Sequence, residues 1–302
     1  MAENLKIKRG AHISDTFAAK RYTRSLGGNI AVWLILAAVG LFLVLPLVYA
    51  VASALKPYDE IFVFPPKILV NRPTTDNFRE LFELCTNLNM PFSRYLFNSV
   101  FLTLVITAAH VVFSSMCAYP LAKNNFPGKK TIFKIIEFSL MFVSAVTFLP
   151  QYIIISKLHL IDTVWAMILP SLGTTLGVFL MKQFMEQIPT AIIEAARIDG
   201  CSEYGVFLKI IMPNVKPAWF TLMIFIFQST WSNSGQQFIF REDLRTLPII
   251  INQLTSGAGI ARVGSSAAGV LFLMIPPIIM FLILQSNVCL LYTSPSPRDR
   301  QK

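Results

Sequence analysis

Between Ile30 and Leu55 the chain runs for 26 residues without one charged side chain. A helix rises 1.5 Å per residue, so such a run reaches across the ~30 Å hydrocarbon core of a bilayer with room to tilt. Further runs of this kind cover Leu96–Ala122, about Thr131–Ile155, about Thr163–Met181, Pro217 to near Trp231–Ser234, and about Gly264–Val288. Together they predict an all-α integral membrane fold with six transmembrane helices. Charged residues make up only 14% of the chain, against about a quarter in a soluble domain, which agrees.

Three segments follow from this pattern: a polar, basic tail over 1–29, a membrane domain over 30–288 and a tail over 289–302. Ile30–Leu55 is read as a first span and not as a removable signal, because more spans follow it. Lys56 to Arg94 reads as a soluble loop broken by prolines, with a short amphipathic helix over Asn77–Leu84. Pro46, Pro120, Pro150, Pro170 and Pro276-Pro277 fall inside expected spans. Each removes a backbone donor and bends its helix, which favours a moving bundle over a static anchor.

The net charge of +10 does not point to nucleic acid. Its basic residues sit in short loops between apolar runs, with no basic stripe on a soluble element. Counted by alternate loops, thirteen Lys and Arg lie on one side and nine on the other. The tight turn Lys123–Lys130, KNNFPGKK, weighs most, because short loops obey the positive-inside rule best. The N-terminus and the loop after span four are therefore expected in the cytoplasm.

Cys85, Cys117, Cys201 and Cys289 have no paired or metal-type spacing, and three scattered histidines build no zinc site. No cofactor is expected. His110, inside span two, is read as a hydrogen bonder facing the bundle. There is no GxxxxGK[ST] and no catalytic constellation, so the chain is not expected to be an enzyme, and any energy comes from an ion gradient or a partner. A gradient-driven transporter would need acidic residues within the spans, and apart from Glu137 near a helix end these have none. A non-transporting membrane scaffold is the third class.

The partner reading is carried by Pro189–Pro217, PTAIIEAARIDGCSEYGVFLKIIMPNVKP. A short helical run through Glu194-Ala195-Ala196 stops at Asp199-Gly200, and a second, from Glu203, ends at Met212-Pro213. Glu194-Ala195-Ala196, three residues, Gly200, nine residues, Ile210, one residue and Met212-Pro213 resembles the EAA loop of bacterial ABC importer permeases, with Met212 for the family's Leu. FPGKK at 126–130, Phe179–Phe184 leading to Ile188-Pro189, and Leu244–Pro248 after Trp231-Ser232-Asn233 are similar to carbohydrate permeases of the maltose type. The resemblance covers about residues 30–288.

What the resemblance implies is a multi-pass subunit of the bacterial cytoplasmic membrane, in contact with lipid, that imports a sugar or oligosaccharide. A permease for another solute is the nearest alternative. Implied partners are a second, different permease, two cytoplasmic ATPase subunits that use the ATP, and an extracytoplasmic solute-binding protein; nucleic acid is not among them. Glu194, Ala195, Ala196, Asp199, Gly200, Ile210, Met212 and Pro213 would dock on an ATPase as a cytoplasmic helix–turn–helix. Two departures stand out. Ala191-Ile192-Ile193 replaces residues that are usually more charged, and CLLYTSPSPRDRQK at 289–302 is unlike the family's tail and is read as an artefact. For the solute, Gln151, Gln228, Trp231 and Asn233 are candidates, since amides bond sugar hydroxyls and indoles stack on sugar faces.

Overall fold

The computed structural model describes residues 26–63, 67, 70–88, 90–232, 237–257 and 262–293, and every regular element among them is helical. In order these are α1 (Leu26–Leu55), α2 (Tyr58–Ile61), α3 (Asp76–Asn87), α4 (Phe92–Lys123), α5 (Lys129–Ser139), α6 (Ser144–Lys157) and α7 (Trp165–Leu172). Then come α8 (Thr175–Glu186), α9 (Thr190–Ile198), α10 (Glu203–Gly205), a π-helical run (Val206–Ile211), α11 (Met212–Asn214) and α12 (Lys216–Ser232). A 3₁₀ turn (Glu242–Leu244), α13 (Leu247–Gly257) and α14 (Val263–Thr293) complete the chain. Two units divide between Tyr49 and Ala50. In the first, the described residues form one uncharged helical run; the bundle is the second.

Four described stretches are long and apolar enough to cross a membrane: Gly28–Leu55, Phe92–Lys123, Trp165–Glu186 and Val263–Ser286. Lys216–Ser232 reaches that length only together with Glu203–Asn214, to which it is bent by 78°. The expected span over Thr131–Ile155 is not one helix but α5 and α6. Near its end Ser139 Oγ bonds the Ile136 carbonyl at 2.8 Å. The turn then tightens to i→i+3 bonds, Met141 N to Phe138 O and Phe142 N to Ser139 O, before Val143 becomes extended. The break falls inside an apolar run, where hydropathy does not register it.

α4 is the central element, packing on α7, α8, α12 and α13. One of its faces is polar yet buried, with Ser99, Thr103, Thr107, His110 and Ser114 at helical spacing. Midway, His110 Nδ1 lies 3.0 Å from the Ser171 carbonyl, which can only accept. Nδ1 therefore carries the proton, leaving Nε2 to accept from the Ser114 hydroxyl at 3.0 Å. Gly177 of α8 lies so close that a Cβ there would sit 2.3 Å from Nε2. The expected bundle-facing histidine is thus a knot between α4, α7 and α8.

One apolar core joins α4, α7, α8 and α12, through Ile106, Met181, Met185 and Leu222. A second joins the start of α4 with α3, α13 and α14, through Leu81, Cys85, Tyr95, Ile250 and Ala268. The amphipathic helix expected over Asn77–Leu84 is α3, which buries Asn77, Leu81 and Cys85 on one side. α14 continues to Thr293, past the expected boundary at Val288; residues 294–302 lie outside the described residues.

Candidate functional site

The loop between α8 and α12 is built from its prolines and glycine outward. Pro189 is the N-cap of α9, with ψ 134°. α9 ends at Asp199, and Gly200 reverses the chain at φ +79°. No atom lies within 4 Å of where a Cβ would stand on Gly200, so glycine is required there for backbone conformation and not for space. Ser202 restarts the helix, its Oγ accepting from Gly205 N at 3.2 Å. Val215 breaks it again before α12, and Trp219 Nε1 reaches back across that break to the Met212 carbonyl at 3.2 Å.

α9 touches the bundle core through Ile193 and, less deeply, Ala196. Ile193 is buried, with Val206 and Ile211, in the core shared by α4, α8 and α12. The rest of α9 faces outward: Glu194, Ala195 and Asp199 are exposed, and Ala196 is half-buried. Ile192, Ile198, Tyr204 and Leu208 are exposed as well, Ile198 by 86% and Tyr204 by 77%. Together they leave large apolar side chains open on an otherwise polar loop. Of the apolar triplet Ala191-Ile192-Ile193, Ile193 is the anchor, while Ala191 and Ile192 stay exposed. Ile210 and Met212 are half-buried and Pro213 is exposed, so the second arm of the motif faces the bundle more than the outside.

Polar ties complete the loop's attachment. Glu203 takes Arg197 Nε on Oε1 at 2.7 Å and Arg197 Nη2 on Oε2 at 3.2 Å. The same Oε2 accepts from the Tyr119 hydroxyl of α4 at 3.0 Å. Lys123 Nζ donates to the carbonyls of Glu186 and Ile188 at 3.2 and 2.5 Å.

A family of binding-protein-dependent transport system inner membrane components has a model that matches residues 17–288. The chain belongs to this family. This permease is 31% identical over 265 residues to the arabinooligosaccharides transport system permease protein AraQ of Bacillus subtilis (strain 168), covering 85% of this chain and 91% of that one. Its fold is shared with a bacterial ABC transporter involved in the import of the acidic polysaccharide alginate, at TM-score 0.75 and 19% identity, over 87% of this chain and 98% of that one. A second structure, an alginate ABC transporter in complex with a periplasmic protein bound to alginate pentasaccharide, matches at TM-score 0.59 and 14% identity, over 88% and 96% of the two chains.

The solute candidates of the permease scatter. Gln228, exposed on α12, lines a cavity of about 290 Å³ with Ile224, Phe227, Pro277, Ile278 and Phe281. Trp231 is buried, its ring parallel to Phe227 at 6.1 Å and its Nε1 bonded to the Leu273 carbonyl at 2.8 Å. That indole joins α12 to α14, and its donor is already engaged. Gln151 is half-buried on α6 and does not line the cavity, while Asn233 lies outside the described residues. The ties from Lys123 to the carbonyls of Glu186 and Ile188, and from Glu203 to Tyr119 and Arg197, emerge only from the packing.

Proposed function

We propose that this permease moves a sugar or oligosaccharide across the bacterial cytoplasmic membrane as part of an ATP-driven importer, driven through residues 189–217 by separate ATPase subunits. The exposed face of α9 and α10 carries the coupling half of the reading. It offers Ile198 and Tyr204 to a hydrophobic groove, and Glu194 and Asp199 to the basic groups around it. AraQ's name and the alginate importers support the solute class. The family's own description supports a solute-binding protein as a further partner, and in this reading a second, different permease and two ATPase subunits complete the assembly.

The Lys and Arg bias puts the N-terminus and this loop in the cytoplasm. ATP is bound by the partner subunits, and this chain holds no cofactor. Closure of the ATPases would rock the bundle between inward- and outward-facing forms. Gln228 in the α12–α14 cavity is the polar group best disposed to meet a solute there, with Gln151 a more distant candidate.

Reconstitution in vesicles with the co-purifying subunits tests the reading. Glu194→Lys and Gly200→Trp should leave membrane insertion intact while transport separates from ATP hydrolysis. Normal uptake by both variants would refute it.

A further inference from the structure

We propose that Glu203 is the strut that passes movement of α9 into α4, a positioning residue between the loop and the bundle. The proposal rests on the coupling role assigned above to the loop. Along the backbone, α9 is poorly placed to push on anything. It is entered through Pro189, left through the reversal at Gly200, and separated from α12 by a 78° break. Each is a point where a displacement can be absorbed by φ and ψ.

The side-chain route bypasses these three points. One carboxylate receives Nε and Nη2 of Arg197 from α9 and the hydroxyl of Tyr119 from α4. Two parallel N–H···O bonds from a planar guanidinium fix direction as well as distance. The Tyr119 ring is held in turn, buried and 5.5 Å from the ring of Phe207 in the π-helical run. One turn further along α4, Lys123 grips the carbonyls of Glu186 and Ile188, so the loop's incoming arm is tied to the same end of that helix. Because Arg197 and Glu203 are both exposed, the pair adds little to stability. Its value lies in linkage. From there α4 stays helical to Phe92, with Pro120 beside Tyr119 as its one internal proline, and Tyr95 and Asn98 hold the opposite end of the bundle.

Tyr119→Phe removes one hydroxyl and keeps the ring packing. In vesicles carrying the chain with its co-purifying subunits, solute moved per ATP should fall about fivefold, while the amount of ATPase subunit retained stays unchanged. Glu203→Ala should fall further. Glu203→Gln, which keeps an acceptor for both partners, should recover part of the loss. A residue that merely stabilised the loop would lower retention and transport together, and that result overturns the proposal. So does wild-type coupling in both Tyr119→Phe and Glu203→Ala. Glu194→Lys run in parallel separates the two failures: if it alone uncouples, the strut is wrong and the loop reading stands; if no variant uncouples, both fall.

Discussion

The two ends of α4 are held in opposite ways. At its start, side chains and backbone interlock. Tyr95 bonds Glu242 at 2.9 Å, Asn98 donates to the carbonyls of Asp243 and Arg245 at 2.9 and 3.0 Å, and Leu247 N donates to Ser99 Oγ at 2.7 Å. Asp162, in the left-handed region at φ +60°, extends this web by taking Phe240 N and Arg241 N on one oxygen at 2.5 and 2.8 Å. At the other end, the 189–217 loop rests on a few buried apolar anchors, with Glu203 and Lys123 as its ties to α4. Buried and multiply bonded groups are costly to separate, whereas exposed ion pairs are cheap to rearrange. The first end is built as a fixed platform and the second as a joint.

Thiol chemistry reads this contrast with the largest expected effect. Cys85 of α3 is fully buried at the platform end, and burial pushes its thiol up to about 11. At pH 8 only about one part in a thousand is thiolate, the reactive form. Cys201, half-exposed in the loop, should react with a maleimide at least about a hundredfold faster, in a chain carrying Cys117→Ser and Cys289→Ser. Equal rates would mean that the platform opens as readily as the joint. The linkage has a sign as well. Between the ordinary thiol range and pH 11 the folded state holds a proton that the unfolded state has lost, so stability falls as pH rises through that window. Alkali should therefore loosen the Cys85 end first.

Gly177→Val attacks the knot between the two ends. Its Cβ would meet His110 Nε2 at 2.3 Å and Ser114 Oγ at 2.4 Å, forcing α8 away from α4. Overpacking of this kind costs about 1–3 kcal/mol, and the loss of both hydrogen bonds adds to it. Thermal unfolding in detergent should shift down markedly and both ends should become reactive together. A loss confined to one end would show that α4 does not join them. Asn98→Ala comes next. It leaves two carbonyls of the platform without their donor, costing about 1–3 kcal/mol of stability, yet solute moved per ATP should not change.

Much of the scaffold was legible in the chain because its signals are local. α1, α4 and α14 follow from unbroken apolar runs, α3 from its periodicity, and the reversal at Gly200 from the one residue that adopts φ +79° without strain. What escaped depends on residues far apart. Tyr119 and Glu203 are 84 positions apart, and Asp162 meets residues 78 and 79 positions away. Neither pair has a periodicity or a spacing to betray it. Residue type makes Trp231 a candidate to stack on a sugar, but it cannot show that the indole is buried and its N–H bonded to the Leu273 carbonyl. The residues proposed for coupling form a motif, but the exposure of Ile198 and Tyr204 has no such signal, since exposure is a property of the packed chain.

The smallest effect expected bears on the joint itself. Ser202 caps the helical run after Gly200, accepting from Gly205 N at 3.2 Å. Loss of such a cap costs about 0.5–2 kcal/mol, and an exposed site at the end of a short run belongs to the low end of that range. Ser202→Ala should therefore leave the unfolding temperature of the permease almost unmoved, because the platform and the α4–α8 knot dominate it. The joint should still feel the change. Glu203 follows directly after the cap, and fraying there lets its carboxylate drift from Tyr119 and Arg197. Labelling of Cys201 should rise a few-fold while Cys85 stays protected. A parallel rise at Cys85 would mean that the two ends share one cooperative unit, and the distinction between platform and joint would then be one of exposure and not of mechanics.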